Sequence, residues 1–288
     1  MKTYRDRVRK PFGDYRDGLS LRRLLNLYDC LVVRFSGGKD SIASFLRVRD
    51  LWAGPADKLI VVHGSIPIDW PDAGEYLDYL ESVLKHPIVR IAKFGDDSMR
   101  AFEERLEKWG YPGANRWCTS TFKVSPLEGY VHKLLRSGRR VLSIYGNRAQ
   151  ESRQRAAQRP RGLWNGRDFV FPIYKWSTEK VLESIDRQGV KLHHSYAQGE
   201  RMGCPVCGNR SAGEWDMLRK RYPKIWEQGV HWYGRSLKAD NYRKGGIAPN
   251  HGLKILSRCS TCATRPLTAD RAKLWFPNCK LKDLEWVA

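Results

Sequence analysis

Three groups of residues in this 288-residue chain combine types and spacings that can do chemistry. The first is Ser36-Gly37-Gly38-Lys39-Asp40-Ser41. It follows a short apolar run, Leu31 to Phe35, and leads into an amphipathic stretch carrying Ile42, Phe45, Leu46 and Val48. That order predicts a strand, a tight turn and a helix. Such a turn aims the first free N–H groups of the helix, and its positive dipole end, at one point, which is a phosphate site. Gly37 and Gly38 allow close approach of the backbone, Lys39 adds charge, and Ser36 and Ser41 add hydroxyls. The second group is Gly146, Arg148, Glu151 and Arg155. From Arg136 to Arg167 there are nine arginines and a single acid, Glu151. Guanidinium forks suit phosphate or sulfate, and a solvated helix face would mix the two signs. The third group is two Cys-x-x-Cys pairs, Cys204/Cys207 and Cys259/Cys262, together with Cys118. Each pair offers two thiolates on one turn, the arrangement that collects a metal ion.

The elements that must hold these groups alternate. An amphipathic helix, Ser20 to Tyr28 with Ser20 as its N-cap, precedes the first strand. Further strands are expected at Leu59 to His63, Ile88 to Phe94, Val141 to Tyr145 and Asp168 to Ile173. Helices are expected at Glu75 to Leu84, Asp97 to Trp109 and Pro126 to Arg136. Strands alternating with helices predict an α/β fold, a doubly wound and mostly parallel five-stranded sheet covered on both faces. Ligands in such sheets bind outside the carboxyl ends of the strands. The turns at Ser36, Gly64 and Gly146 all open there. Past about Glu200 cysteines, aromatics and basic residues interleave with little periodicity. The expected organisation is a basic N-terminal helical segment (1–29), a nucleotide-binding domain (30–199) and a smaller cysteine-containing unit (200–288).

Lys and Arg number 52 against 31 Asp and Glu, a formal net charge of +21. That exceeds the roughly 2–8 suited to a small soluble domain and favours an anionic partner, nucleic acid or a phosphorylated small molecule. The chain has no apolar run of about 18 residues that would span a membrane. The first residues are basic without an apolar core, so no signal peptide is expected. Seven cysteines then point to a reducing cytoplasm with metal or redox chemistry rather than disulfides.

The turn differs from the common nucleotide P-loop, G-x-x-x-x-G-K-[ST], because Lys39 follows Gly38 directly and Asp40 precedes Ser41. It resembles instead the SGGxDS loop of the adenine nucleotide alpha hydrolase-like (PP-loop) superfamily, whose members commonly cleave ATP between the alpha and beta phosphates. Four further stretches resemble the phosphoadenosine phosphosulfate (PAPS) reductase family in order. They are Arg116-Trp117-Cys118-Thr119 with Lys123, Gly146 to Arg155 (GNRAQESRQR), Pro172-Ile173 with Trp176-Ser177, and Gly199 to Cys207 (GERMGCPVC). The family includes sulfonucleotide reductases and a DNA phosphorothioation sulfurtransferase. The resemblance implies nucleotide binding by Ser36 to Ser41, Gly146, Arg148, Glu151 and Arg155, with Lys39, Asp40 and Cys118 as candidate catalytic residues. The substrate implied is ATP or a sulfonucleotide, with Mg. Two departures stand out: the second-strand loop reads His63-Gly64-Ser65 where the family often has D-T-G. Cys279 also lacks the E-C-G-(I/L)-H surroundings of the PAPS reductase thiol.

For the thiols, the resemblance implies a 4Fe-4S cluster on Cys118, Cys204 and Cys207, with Cys259 or Cys262 as fourth ligand. The alternative is structural zinc on Cys204, Cys207, Cys259 and Cys262. Cys30 reads as a core residue. His193 and His194 read as loop histidines with no ligand or acid–base role. Between Arg201 and Arg258 twelve basic residues accompany four acidic ones. Trp215, Tyr222, Trp226, Trp232, Tyr233 and Tyr242 are interspersed, a composition that suits nucleic acid, with about half of these aromatics expected in a local core. The leading expectation is adenylation of an acceptor, on nucleic acid, followed by sulfur transfer, with a sulfur- or electron-donor protein as a further partner. The alternatives are a sulfonucleotide reductase releasing sulfite and a zinc-stapled nucleic-acid-binding module.

Overall fold

The structure, a computed structural model, describes residues 18–112, 116–164, 166–197, 202–210 and 212–236. In chain order the elements are α1 (Gly18–Leu25), β1 (Cys30–Arg34), α2 (Lys39–Leu51), β2 (Leu59–Gly64), α3 (Ala73–Leu84), β3 (Ile88–Ile91) and α4 (Ser98–Trp109). They continue with α5 (Ser125–Arg136), β4 (Val141–Ile144), α6 (Arg153–Ala156), β5 (Arg161–Trp164), β6 (Arg167–Val170), α7 (Thr178–Asp186) and α8 (His194–Ala197). The last two are α9 (Ala212–Arg221) and α10 (Pro223–Ser236). Two compact units share them. One is built from the described parts of 1–65, 71–91 and 124–202. The other takes the described parts of 66–70, 92–123 and 203–236.

The first unit contains a six-stranded sheet in the order β3-β2-β1-β4-β6-β5. All neighbours run parallel except β5 and β6, which pair as an antiparallel edge. This corrects the expected five strands. The strand missed, β5, is Arg-Gly-Leu-Trp, with a charge and a glycine in its four residues and no readable alternation. The expected third strand ends at Ile91, and the remainder, Ala92 to Phe94, belongs to the second unit. Ser20 lies inside α1, which starts at Gly18, rather than capping it.

Central strands are apolar throughout because both faces are covered. Cys30, Val32, Val62, Val131 and Val141 form one buried cluster, onto which Leu127, Leu134 and Leu135 of α5 pack. Leu31 and Val33, of opposite parity, are buried as well. Cys30 is the core residue expected, and burial pushes its thiol pKa up. Each such apolar side chain contributes about 1.5–3 kcal/mol on burial. Helix α2 buries Ile42, Ala43, Phe45, Leu46 and Val48 and packs against α7 and α1.

The second unit has its own core. Trp215, Phe102, Phe122 and Leu106 are buried there, with Trp232 and Tyr233. Phe102 meets Trp117 at 5.3 Å and Trp232 at 5.6 Å between ring centres. No helix among the described residues is long and apolar enough to cross a membrane.

Candidate active site

Strand β1 lies between β2 on one side and β4 on the other, so chain direction reverses its progress across the sheet there. The loops leaving the carboxyl ends of β1 and β4 both open at this point, where doubly wound sheets bind ligands. The first loop is Phe35 to Gly38, held by internal bonds. Gly37 adopts φ +74°, a conformation that favours glycine. The Ser36 and Ser41 hydroxyls lie 3.2 Å apart, Gly38 N–H donates to Ser36 Oγ (3.3 Å), and Ser41 Oγ–H donates to the Gly38 carbonyl (2.8 Å). His63, next to last in β2, places Nδ1 3.0 Å from the Phe35 carbonyl. That bond ties β2 to the turn. From outside the loop, Tyr196 of α8 accepts the Lys39 N–H at 3.1 Å.

The second loop is built against the first. A Cβ at Gly146 would lie 2.8 Å from the Asp40 carbonyl carbon and oxygen, so only glycine fits without displacing the α2 backbone. Two residues on, Arg148 is buried and its guanidinium is engaged by protein. Its Nε donates to Asp40 Oδ1 (2.6 Å), Nη1 to Gln150 Oε1 (3.1 Å) and the Trp176 carbonyl (3.2 Å), and Nη2 to Thr178 Oγ1 (3.3 Å). Asp40 also takes Lys39 Nζ at 2.6 Å. One carboxylate therefore bridges two cations in the first turn of α2, where the helix dipole favours negative charge. Glu151 accepts the Arg148 backbone N–H (3.0 Å) and pairs with the Arg155 side chain. Ser36 to Ser41, Gly146, Arg148, Glu151 and Arg155 thus come together in one unit through direct bonds or a shared backbone contact.

The thiols belong to the second unit. Trp117, ahead of Cys118, donates Nε1–H to the Gly110 carbonyl (3.0 Å), and Arg116 before it has φ +43°. A π-helical turn, Thr119–Val124, follows Cys118, a backbone form frequent at functional sites. The Cys204–Cys207 turn closes with Cys207 N–H donating to the Cys204 carbonyl (3.2 Å), and Tyr111 Oη–H donates to the Val206 carbonyl (2.6 Å). Gly208 packs so closely that a Cβ would sit 2.2 Å from the Pro112 oxygen. Burial pushes the Cys204 thiol up to about 12 and raises Cys118. Burial works against the Lys123 ammonium as well, but the Cys204, Asp69 and Cys118 charges around it outweigh that and hold its pKa above the ordinary lysine value. The Cys118, Cys204 and Cys207 thiols and the Lys123 ammonium thus lie near enough to act on one another's charge, though the three sulfurs do not all stand within 4.8 Å of one another; thiolates are the donors an iron–sulfur cluster takes. Cys259, Cys262 and Cys279 lie outside the described residues.

Two features carry no local signature in the sequence. Tyr196 reaches the phosphate loop from 157 residues away, and no motif signals it. His193 and His194 do have a partner, since both point Nε2 at Asp72, at 3.2 and 2.8 Å. Among the aromatics proposed for nucleic acid, Trp215, Trp232 and Tyr233 are core residues. Tyr222 packs on Trp70 and Trp226 on Trp215, while Tyr242 lies outside the described residues.

Fold and loop together define an α/β domain of the PP-loop class. Residues 30–215 match the family described as phosphoadenosine phosphosulfate reductase domain, and the chain belongs to that family. It is similar to two uncharacterised proteins of Methanocaldococcus jannaschii. One is 27% identical over 222 residues, 75% of this chain and 44% of the relative; the other is 29% identical over 201 residues, 68% and 46%. The chain therefore spans less than half the length of these relatives. Among solved structures, the PAPS reductase from Candida auris in a phosphate complex shares the fold, with a TM-score of 0.51 at 14% identity over 65% of this chain and 87% of that one.

Proposed function

We propose that this chain binds ATP or a related adenine nucleotide, with Mg, at the Ser36–Ser41 loop and adenylates an acceptor for sulfur transfer, the acceptor being nucleic acid. The observation that carries the reading is the close seating of Gly146 on the Asp40 backbone, with the Asp40–Arg148 ion pair behind it. Together they hold a glycine turn and the start of α2 in a form suited to a pyrophosphate group. In the reaction, an acceptor oxygen attacks the alpha phosphorus and the bond to the bridging oxygen breaks, so pyrophosphate leaves with the electron pair. AMP then departs from the adenylated acceptor when a sulfur nucleophile, supplied by a donor protein, forms the new bond. Lys39 lies at the helix start as the cation for the phosphates, and Asp40 orients it.

The metal centre proposed is a 4Fe-4S cluster on Cys118, Cys204 and Cys207, with the fourth thiolate from Cys259 or Cys262; zinc on the two cysteine pairs is the alternative. Such a cluster supplies electron-transfer and sulfur-handling chemistry when bound. The net charge of +21 supports an anionic macromolecule as acceptor. The test uses protein purified without oxygen, given ATP, Mg, nucleic acid and labelled sulfide. Label retained in nucleic acid, dependent on ATP, supports the reading. Sulfite released from a sulfonucleotide with thioredoxin, and no label in nucleic acid, replaces it with the reductase.

A further inference from the structure

We infer that Asp72, His193 and His194 form a binding site for a divalent metal ion of the zinc class, separate from the thiols. Asp72 stands just ahead of α3; His193 just precedes α8 and His194 opens it, 121 and 122 residues away. The ligand atoms of the three side chains all lie within 4.8 Å of one another. Asp72 Oδ2 is 3.2 Å from His193 Nε2 and 2.8 Å from His194 Nε2. Bonds of about 2.0–2.1 Å to a tetrahedral ion place its ligands about 3.3 Å apart, so the side chains already stand near coordination spacing. Two imidazoles with one carboxylate are an intermediate donor set that suits zinc and its neighbours, whereas Mg and Ca take oxygen.

The surroundings suit a ligand site as well. His193 is the fixed member: its side chain is 1% exposed, its ring stands edge-on to Tyr76 at 5.0 Å, and its Nδ1 lies 2.9 Å from Ser195 Oγ. The Ser195 backbone N–H also donates to Nδ1 at 3.3 Å, which fixes the ring from that side, so an ion at Nε2 would take the place of the proton shared with Asp72. Asp72 and His194 are 37% and 46% exposed, which gives an ion a path in and leaves a fourth position to water. The imidazole centres lie only 4.1 Å apart, a placement that a shared cation makes favourable.

An ion here would pin α8 to the start of α3, and both elements wall the phosphate loop. Tyr196, two residues past His194, accepts the Lys39 N–H, and its hydroxyl would stand 3.1 Å from a Cβ at Gly38. Tyr76 and Leu77 of α3 stand 3.6 and 3.7 Å from a Cβ at Gly37. Metal occupancy therefore steadies the loop and tightens nucleotide binding; this consequence rests on the nucleotide reading, whereas metal binding itself does not.

The experiment is a Co2+ titration of the full chain, followed by visible absorption. Nitrogen and oxygen ligation gives a d–d band without the near-ultraviolet sulfur-to-cobalt charge transfer that thiolates produce. The Cys204→Ser/Cys207→Ser variant is expected to keep this band. His194→Gln, a change at a half-exposed position, is expected to lose it and to bind that equivalent at least tenfold more weakly. Asp72→Asn, nearly isosteric, should do the same, and carries the test if His194→Gln does not fold. Co2+ titrations of His194→Gln and Asp72→Asn that match wild type would overturn the site and leave a hydrogen-bonded Asp–His cluster. Metal binding without any change in ATP affinity would retain the site and remove its link to the loop.

Discussion

The phosphate loop and the thiol turn are both tight turns governed by a glycine contact, yet they are built for different ends. In the first unit the loop closes on itself. Ser36, Gly38 and Ser41 bond to one another, Gly146 seats on Asp40, and Asp40 is held by Arg148 and Lys39. Its side chains hold one another, with one carboxylate between two cations leaving net positive charge for an anion, so the loop is preformed before a ligand arrives. In the second unit the Cys204–Cys207 turn is equally well fixed, by Tyr111 and Gly208, but its chemistry is unfinished. Burial pushes the Cys204 thiol up, while Lys123 and the thiol favour each other's charged form. A bound metal would resolve that by taking thiolates as ligands next to the ammonium. One site is completed by the chain, and the other is where the proposed metal centre would be added.

The glycines give the sharpest way to break this comparison. Gly146→Ala drives a methyl into the α2 backbone and should weaken ATP binding more than 100-fold while metal content is retained. Gly208→Ala drives one into Pro112 and should strip the metal while ATP binding stays within about threefold. Calorimetry with ATP and metal analysis on both variants check the pattern, and loss of both properties in both variants would contradict it. Asp40→Asn comes next. It leaves the buried Arg148 without its carboxylate, which costs about 3 kcal/mol, read as a lowered denaturant midpoint at unchanged slope. Lys123→Met should leave fold stability nearly unchanged and lower metal occupancy several-fold, measured as metal per chain. The smallest effect expected is at Lys85, the exposed C-cap of α3 with φ +50°. Lys85→Gly relieves that conformation and should stabilise the chain by about 0.5–1 kcal/mol in thermal unfolding, without touching either site.

What could be read from sequence follows the range of the interactions involved. The strand, glycine turn and α2 were readable because the apolar run, the glycines and the helical period are all local. The alternation of elements predicted the parallel sheet for the same reason. The edge strand β5 was not readable, since Arg161 to Trp164 carries no period and its place is set by pairing with β6. Arg148 reads as an anion fork in an arginine-rich stretch. In the fold its guanidinium sits on a carboxylate 108 residues upstream, a partner no local pattern reveals. The histidines illustrate the same limit. Their neighbours in sequence offer no reason for two adjacent imidazoles, and the reason, Asp72, arrives only through the packing of α8 on the start of α3.

The measurement that bears most directly on the central claim is the product pair formed from ATP by the oxygen-free protein with Mg, nucleic acid and sulfide, separated by ion-exchange chromatography. Cleavage at the alpha phosphate predicts AMP and pyrophosphate in equal amounts, with Lys39→Ala reducing both at least 100-fold. ADP and inorganic phosphate, or equal turnover by wild type and Lys39→Ala, would contradict it.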